Sequence, residues 1–147
     1  MHRVLLRRLA REAMAGTARY YDIPAMRSWS QAVNFEELPI WGVMTPDEQS
    51  APVAKDYTGR SVVLSVAVKR EGGDELEDEL DVDAAEIEAA VLPVLLNYCM
   101  EQGQEAHVSN TAMRFDGDGM RRVGVVEVRF ACGLITETPP AAAPMED

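Results

Sequence analysis

The sequence predicts an α+β fold, a two-layer sandwich in which two helices pack on one face of an antiparallel or mixed β-sheet. Apolar residues repeat at helical spacing in two segments and alternate at strand spacing in others. These segments follow one another in the order α-(β)-β-β-α-β-β, which is typical of such a sandwich. The 147 residues fit one domain, which we place at residues 1–135. Residues 136–147 are rich in Pro and Ala and predict a flexible tail.

The first predicted helix runs from Val4 to Ala15 and ends at Gly16. Its apolar residues repeat every four positions and predict a core face, which includes Leu5, Leu9 and Ala13. Arginines occupy another face, which is either solvated or meets an acidic partner: Arg3, Arg7 and Arg11. Behind Pro24, residues 25–29 favour a short edge strand, because a proline is tolerated at the start of such a strand.

Two apolar segments then predict neighbouring strands, at residues 38–44 and 61–69. The second strand has a core face made of Val62, Leu64, Val66 and Val68. Its other face is only half polar, which suggests that another subunit covers Val63 and Ala67. Between the strands, residues 45–60 hold two prolines and little apolar mass, so we expect a long polar loop. We interpret it as an arm that is mobile in the free subunit and ordered against a partner.

The second predicted helix begins at Asp74 or only at Asp83, since both positions carry N-cap signals. Pro93 should kink or end it near Leu92, with a further turn or two before Gly103 stops it. A last hairpin follows, with strands at residues 107–115 and 120–135 joined by an Asp-Gly-Asp-Gly turn.

Acidic residues are concentrated in one block. Residues 71–113 contain twelve Asp or Glu and no Lys or Arg, so removing that block from the net charge of −11 leaves the remainder near +1. A solvated acidic face, a divalent-cation site at an oligomer interface and a docking or repulsion surface all fit this pattern. The surface in question includes Glu75, Glu77, Asp78 and Glu79. The overall charge argues against a nucleic-acid-binding surface built on basic patches.

The sequence contains no pattern typical of an active site. It has no nucleophile elbow, phosphate-binding loop or dinucleotide-binding glycine motif, so we expect no enzymatic activity, no cofactor and no metal. Cys99 and Cys132 lie outside any CxxC motif and predict two buried thiols, with a disulfide or metal pair as the alternative. Trp41 is either a core anchor or a ligand platform. No apolar run approaches the about 20 residues of a membrane span.

Several segments, taken in order, resemble the tail terminator proteins of long-tailed phages, the minor tail protein U type. The segments that carry the resemblance are Met26-Arg-Ser-Trp-Ser, Phe35-Glu-Glu-Leu-Pro-Ile-Trp-Gly-Val-Met-Thr-Pro-Asp-Glu, Arg60-Ser-Val-Val-Leu-Ser-Val, the acidic helix and the Phe115-Asp-Gly-Asp-Gly turn. They are fold residues and not catalytic ones, and they span most of residues 3–135.

This resemblance implies a structural protein of the virion that assembles in the host cytoplasm. Such proteins form a hexameric ring on the head-proximal end of the tail tube, which ends tube polymerisation. The partners implied are further copies of the chain, the tail tube protein and a head-completion or neck protein. DNA would pass through the central channel without specific binding, and an acidic helix would suit either a subunit interface or the channel lining.

From surface logic we predict a set of contact residues for the ring and the tube: Asp47, Glu48, Lys55, Asp56, Glu127, Arg129, Arg7 and Arg11. Two alternative functions stay open at this point. One is a neck or tail-completion protein with a related fold, which would bind on the portal side. The other is a small ligand-binding or enzymatic domain, which a pocket with convergent polar groups around Trp41 would favour.

Overall fold

The computed structural model describes residues 1–26, 37–117 and 122–139. Two helices and four strands form an α+β arrangement in the predicted order, with both helices packed on the sheet. The elements are α1 (His2–Ala15), β1 (Ile40–Ala54), β2 (Tyr57–Gly72), α2 (Leu76–Met100), β3 (Ala106–Asp116) and β4 (Arg122–Glu137). The sheet has the order β1-β2-β4-β3, and each neighbouring pair is antiparallel.

The core lies between the sheet and the two helices. Alternate residues of β2 are fully buried, and those of β4 that lie beside them in register are buried too, as alternation requires. The predicted core face of β2 is therefore confirmed. α1 packs over β1 and β2, whereas α2 packs mainly over β4 and β3. Trp41 is a core anchor, because it is 3% exposed and its ring N–H donates to the Ile23 carbonyl at 3.1 Å.

The predicted loop at residues 45–60 is wrong. The segment continues both strands, and only Lys55 and Asp56 form the turn between them. The two prolines that suggested a loop are accommodated because β1 is an edge strand. Pro46 lies in a register shift between Met44 and Asp47, and Pro52 borders a second register shift. At both positions the N–H that proline lacks is not needed for a hydrogen bond to the neighbouring strand.

The second helix also differs from the prediction. It begins at Leu76, so Asp83 lies inside it and not at its start, and it continues through Pro93 to Met100. Pro93 is on the exposed side, whereas Val91 and Leu95 on either side of it are buried against the sheet. Burial of these neighbours holds the helix together across the lost backbone hydrogen bond. Gly103, with φ 71°, follows the helix as predicted.

The remaining predictions for local structure are confirmed in part. Gly16 caps α1 through its backbone N–H. Ala25 forms an isolated parallel bridge with Trp41, and the Met26 backbone N–H donates to the Trp41 carbonyl at 2.7 Å, but residues 27–29 of the predicted edge strand lie outside the described ranges. The last turn begins at Asp116 and Gly117, and its remainder also lies outside them, as does the tail beyond residue 139. Cys99 and Cys132 are buried free thiols.

Candidate functional site

The sheet extends beyond the helix layer as a three-stranded arm. We define this arm as residues 47–54 of β1, 57–62 of β2 and 132–137 of β4, which pair in register apart from a shift between Pro52 and Ala54. Most side chains of the β1 segment are exposed, whereas most of those in the β2 segment are half-buried or buried. At the tip, Val53 and Tyr57 are 58% and 46% exposed. The arm therefore presents apolar side chains at a distance from the core, on a hydrogen-bonded scaffold.

Polar side chains stiffen the base of the arm. Arg60 donates to Thr136 Oγ1 at 2.7 Å, to Glu48 Oε2 at 3.1 Å and to Ser50 Oγ at 3.2 Å, which links all three strands. The Glu48 carboxylate also pairs with the His2 ring, which joins the arm to the start of α1. Burial alone would raise the pKa of Glu48, but the hydrogen bond from His2 and the charges of His2, Arg60 and Arg3 lower it.

The predicted contact residues of the arm thus divide into two groups. Asp47 is exposed, and Lys55 and Asp56 form the exposed turn at the tip, so all three are available to a partner. Glu48 points the other way, with a side chain only 12% exposed that makes the ion pairs just described. Its prediction as a free surface contact is therefore corrected, because alternation along β1 places neighbouring side chains on opposite faces of the sheet.

The sheet face away from the helices carries the predicted strand contacts, of which Arg129 is exposed. The Glu127 side chain is only 13% exposed, so its prediction as an exposed contact is corrected. Arg129 Nε donates to Glu127 Oε1 at 2.5 Å, and these residues lie beside Ser65 and Ala67 in register. The Ser65 hydroxyl is buried and has no hydrogen-bond partner within the described part of the chain. Val63 is half-buried on the same face, whereas Ser65 and Ala67 are buried within the subunit. The expectation that another subunit covers Ala67 is therefore wrong. We call this side of the sheet, where Val63 and Arg129 reach the surface, the open face.

The two predicted arginines of α1 have different environments. Arg7 is tied to β1, because its Nη1 donates to Thr45 Oγ1 at 2.5 Å. Arg11 is half-buried and makes no hydrogen bond or ion pair with a described residue. The same holds for the exposed Arg8 one turn away. Arg8 and Arg11 are therefore available for an acidic partner, whereas Arg7 is held by β1.

The predicted acidic surface lies at the start of α2. Glu75, Glu77, Asp78 and Glu79 are all exposed. Carboxylates at this position are favourable, because the helix N-terminus carries a partial positive charge. Glu79 also pairs with Arg19 Nη2 at 2.9 Å, so its charge is partly neutralised. The other three carboxylates keep their negative charge at the surface.

One charged cluster was missed by the sequence prediction. Asp83 is fully buried and accepts hydrogen bonds from Arg70 at 2.6 Å and 2.9 Å, from Arg19 at 2.9 Å and from Tyr20 at 2.5 Å. Burial would raise the pKa of Asp83, but the donors Arg70, Tyr20 and Arg19 lower it. Burial and the hydrogen bond to Asp83 raise the pKa of Tyr20, which stays protonated.

A signal for this cluster is present in the sequence. Asp83 falls on the apolar stripe of α2, at helical spacing between Leu80 and Ile87, where an unpaired carboxylate would be too costly to bury. An acid at such a position predicts a basic partner from another element. The donors themselves could not be identified, because Arg19 lies 64 residues away along the chain. The cluster ties the segment after α1 to β2 and α2.

Within residues 1–26, 37–117 and 122–139, no group of three or more His, Cys, Asp or Glu side chains could hold a metal ion. None of the helices described is long and apolar enough to cross a membrane. An open groove of about 780 Å³ lies where the arm meets the turn between α2 and β3, and its lining includes Ser50, Arg60, Gln104, His107 and Gly133. It is open to solvent and not closed around a cavity.

No protein-family model and no curated protein matches this sequence. The geometry of the chain, and the resemblance of its sequence segments to tail terminator proteins, are therefore what bears on its function.

Proposed function

We propose that this protein is a structural subunit of a phage tail, which caps the end of the tail tube as a ring and forms the surface that joins the tail to the head. The observation that carries the proposal is the arm. Its β1 segment is exposed along most of its length, and its tip presents Val53 and Tyr57 to solvent. Long exposed strands with apolar tips are features of assembly subunits, since isolated they invite association.

A ring subunit needs two different surfaces that bind each other around a closed circle. This chain has several unlike surfaces: the arm, the open face and two helices with opposite charge. The groove at the base of the arm adds a concave surface of about 780 Å³ next to a convex one. These features support a subunit that contacts both its neighbours and the tube.

The acidic start of α2 supports a further part of the proposal, that DNA passes through the ring without sticking. Exposed carboxylates repel phosphates, and Glu75, Glu77 and Asp78 are exposed without a basic partner among the described residues. Neutralising Glu75, Glu77 and Glu79 to the amides should slow DNA passage through assembled particles. If the variant assembles and passes DNA as the wild-type protein does, the acidic surface has no role in DNA passage.

The test of capping uses the tube protein of the phage that encodes this chain. Wild-type protein added during polymerisation should shorten the tubes and bind at one end, which electron microscopy measures directly. The tip variant Val53→Ser/Tyr57→Ser should fail to cap, whereas Glu77→Gln, an exposed change away from the arm, should cap normally. Wild-type protein that never binds tube ends contradicts the proposal, and binding to the portal side alone indicates a neck or tail-completion protein instead.

A further inference from the structure

The helix α2 carries a second apolar stripe on its outer side. The stripe is exposed except at Leu92 and Leu96, which are half-buried and pack in part against the core. Besides the buried stripe, apolar residues recur at spacings of three and four along the exposed side. This outer stripe consists of Val82, Ala85, Ala89, Leu92, Leu96 and Met100. Val82 is 45% and Met100 60% exposed, and no charged residue occurs between Glu88 and Glu101.

A helix with apolar residues on both sides is normally buried on both sides. A spacing of three and four that alternates over several turns is also the pattern by which one helix packs against another. Ala85 and Ala89 are exposed and small, so a second helix could approach closely at that point. The outer stripe is therefore suited to a helix as its partner.

The outer side of α1 has matching spacing and the opposite charge. Met1, Val4, Arg8, Arg11 and Ala15 recur at the same spacings of three and four. Met1 is 94% and Val4 47% exposed. Arg8 and Arg11 make no hydrogen bond or ion pair with a described residue. The long stems of two such arginines can cover apolar surface while their charged ends reach acidic groups.

Exposed acids flank the outer stripe of α2 only in its first half. Asp78 precedes Val82 by one turn, and Glu86 lies beside Ala85; neither makes a hydrogen bond or ion pair with a described residue. An antiparallel arrangement brings the α1 arginines beside these acids and brings Val4 and Met1 beside the apolar second half. The exposed Glu12 is the one acid on this side of α1, and it opposes the pairing only weakly beside two arginines.

We infer that the outer stripe of α2 binds the outer side of α1 of a second copy of this chain, in an antiparallel helix pair. The contact joins two different surfaces, so it can repeat from copy to copy. Its closure into a ring rests on the function proposed above, whereas the contact itself does not. Glu77 faces away from the outer stripe and remains free.

Charge reversal tests the contact in solution. Wild-type protein should form oligomers in sedimentation velocity as the concentration is raised to about 1 mM, where even weak specific contacts associate. Arg8→Glu/Arg11→Glu and Asp78→Arg/Glu86→Arg should each weaken association at least about tenfold, because each places like charges together. The combined variant with all four reversals should associate again. Glu77→Arg/Glu105→Arg, which changes the net charge equally at exposed positions away from the outer stripe, should associate like wild type.

A second variant tests the apolar part independently of charge. Ala89→Arg places a long side chain in the middle of an exposed stripe, so the monomer should keep its melting temperature while association is lost. Wild-type protein that stays monomeric at about 1 mM overturns the inference. Normal association of Arg8→Glu/Arg11→Glu and of Asp78→Arg/Glu86→Arg also overturns the inference. If these variants associate normally but no longer cap tubes, the outer stripe contacts the tube and not a second copy. Wild-type oligomers that are sensitive to these variants but never cap tubes would retain the contact and reject the proposed function.

Discussion

Asp83 and Arg70 form a two-bond ion pair between α2 and β2. Arg70 Nε donates to Asp83 Oδ2 at 2.6 Å, and Arg70 Nη2 donates to Oδ1 at 2.9 Å. Arg19 and Tyr20 donate to Oδ1 as well, so one carboxylate satisfies three side chains from two other parts of the chain. The carboxylate is fully buried, whereas the two arginine side chains are 15% and 25% exposed. This asymmetry makes Asp83 the residue on which the cluster depends.

Replacing Asp83 by Asn should destabilise the fold by about 3–5 kcal/mol, because it leaves two arginines beside a neutral amide in a partly buried site. Urea unfolding followed by circular dichroism measures the loss. The matched control is Asp81→Asn, which makes the same chemical change on the exposed side of the same helix. A loss at Asp83 no greater than that at Asp81 would show that the cluster adds nothing to stability.

The same cluster should make stability depend on pH in the acid range. The pKa of Asp83 is lowered from its ordinary value of 3.8, so the unfolded chain binds a proton at a higher pH than the folded one. The stabilisation is therefore complete above that value and is lost as pH falls through the folded pKa. The Asp83→Asn variant should show a shallower fall in urea midpoint below about pH 5 than wild type. Identical slopes would contradict the assignment.

The contrast between α2 and the arm shows what the sequence can predict. The buried stripe of α2 was predictable, because burial against one face imposes a spacing of three and four that local sequence records. The arm was not, because exposed strands carry no apolar alternation and their prolines resemble loop signals. Pro46 and Pro52 are compatible with a strand only because β1 lies at the edge of the sheet. Edge position is a property of the whole topology, which local pattern does not contain.

The predicted contact residues also depended on the topology of the sheet, which local sequence does not contain. Sequence patterns identified Asp47 and Glu48 as equally charged and equally exposed, but adjacent residues of a strand point to opposite faces. Which of the two faced inward depended on the register of β1 with β2 and on the place of His2 beside it. The Asp83 cluster likewise required Arg19 and Arg70 to converge from separate elements.

The substitutions Asp47→Lys and Glu48→Lys should therefore have different effects. Glu48→Lys places a third positive charge beside His2 and Arg60 and should lower the free energy of unfolding by about 1.5–3 kcal/mol, the usual worth of a hydrogen bond to a charged group. Asp47→Lys changes an exposed side chain and should leave stability unchanged while impairing tube capping. Thermal unfolding and the capping assay separate the two effects. Equal destabilisation by both variants would mean that Glu48 is not held inside, and normal capping by Asp47→Lys would refute the role of Asp47.

The thiols of Cys99 and Cys132 should be unreactive in the folded protein. Both are fully buried, and the hydrogen bond that Cys132 donates to Cys99, together with burial, raises the pKa of Cys132. The same hydrogen bond lowers the pKa of Cys99, so exclusion from solvent is what protects that thiol. A thiol-reactive chromophore should therefore label no cysteine in buffer and two in denaturing urea. The Asp83→Asn variant serves as a comparison, because a less stable fold opens more often and should react faster. Rapid labelling of the wild-type protein in buffer would contradict the burial of both thiols.

Gly124 of β4 leaves room for the start of α2. A Cβ atom placed at Gly124 would lie 2.6 Å from Leu80 Cδ1 and 3.1 Å from Leu76 Cδ2. Gly124→Ala should therefore destabilise the fold by about 1–3 kcal/mol through overpacking, despite the better strand propensity of alanine. Leu80→Val in the same chain removes the atoms that clash, so the double variant should be more stable than the sum of the single changes predicts. Urea unfolding of the four proteins gives this coupling, and strict additivity would show that β4 and α2 are not in close contact at Gly124.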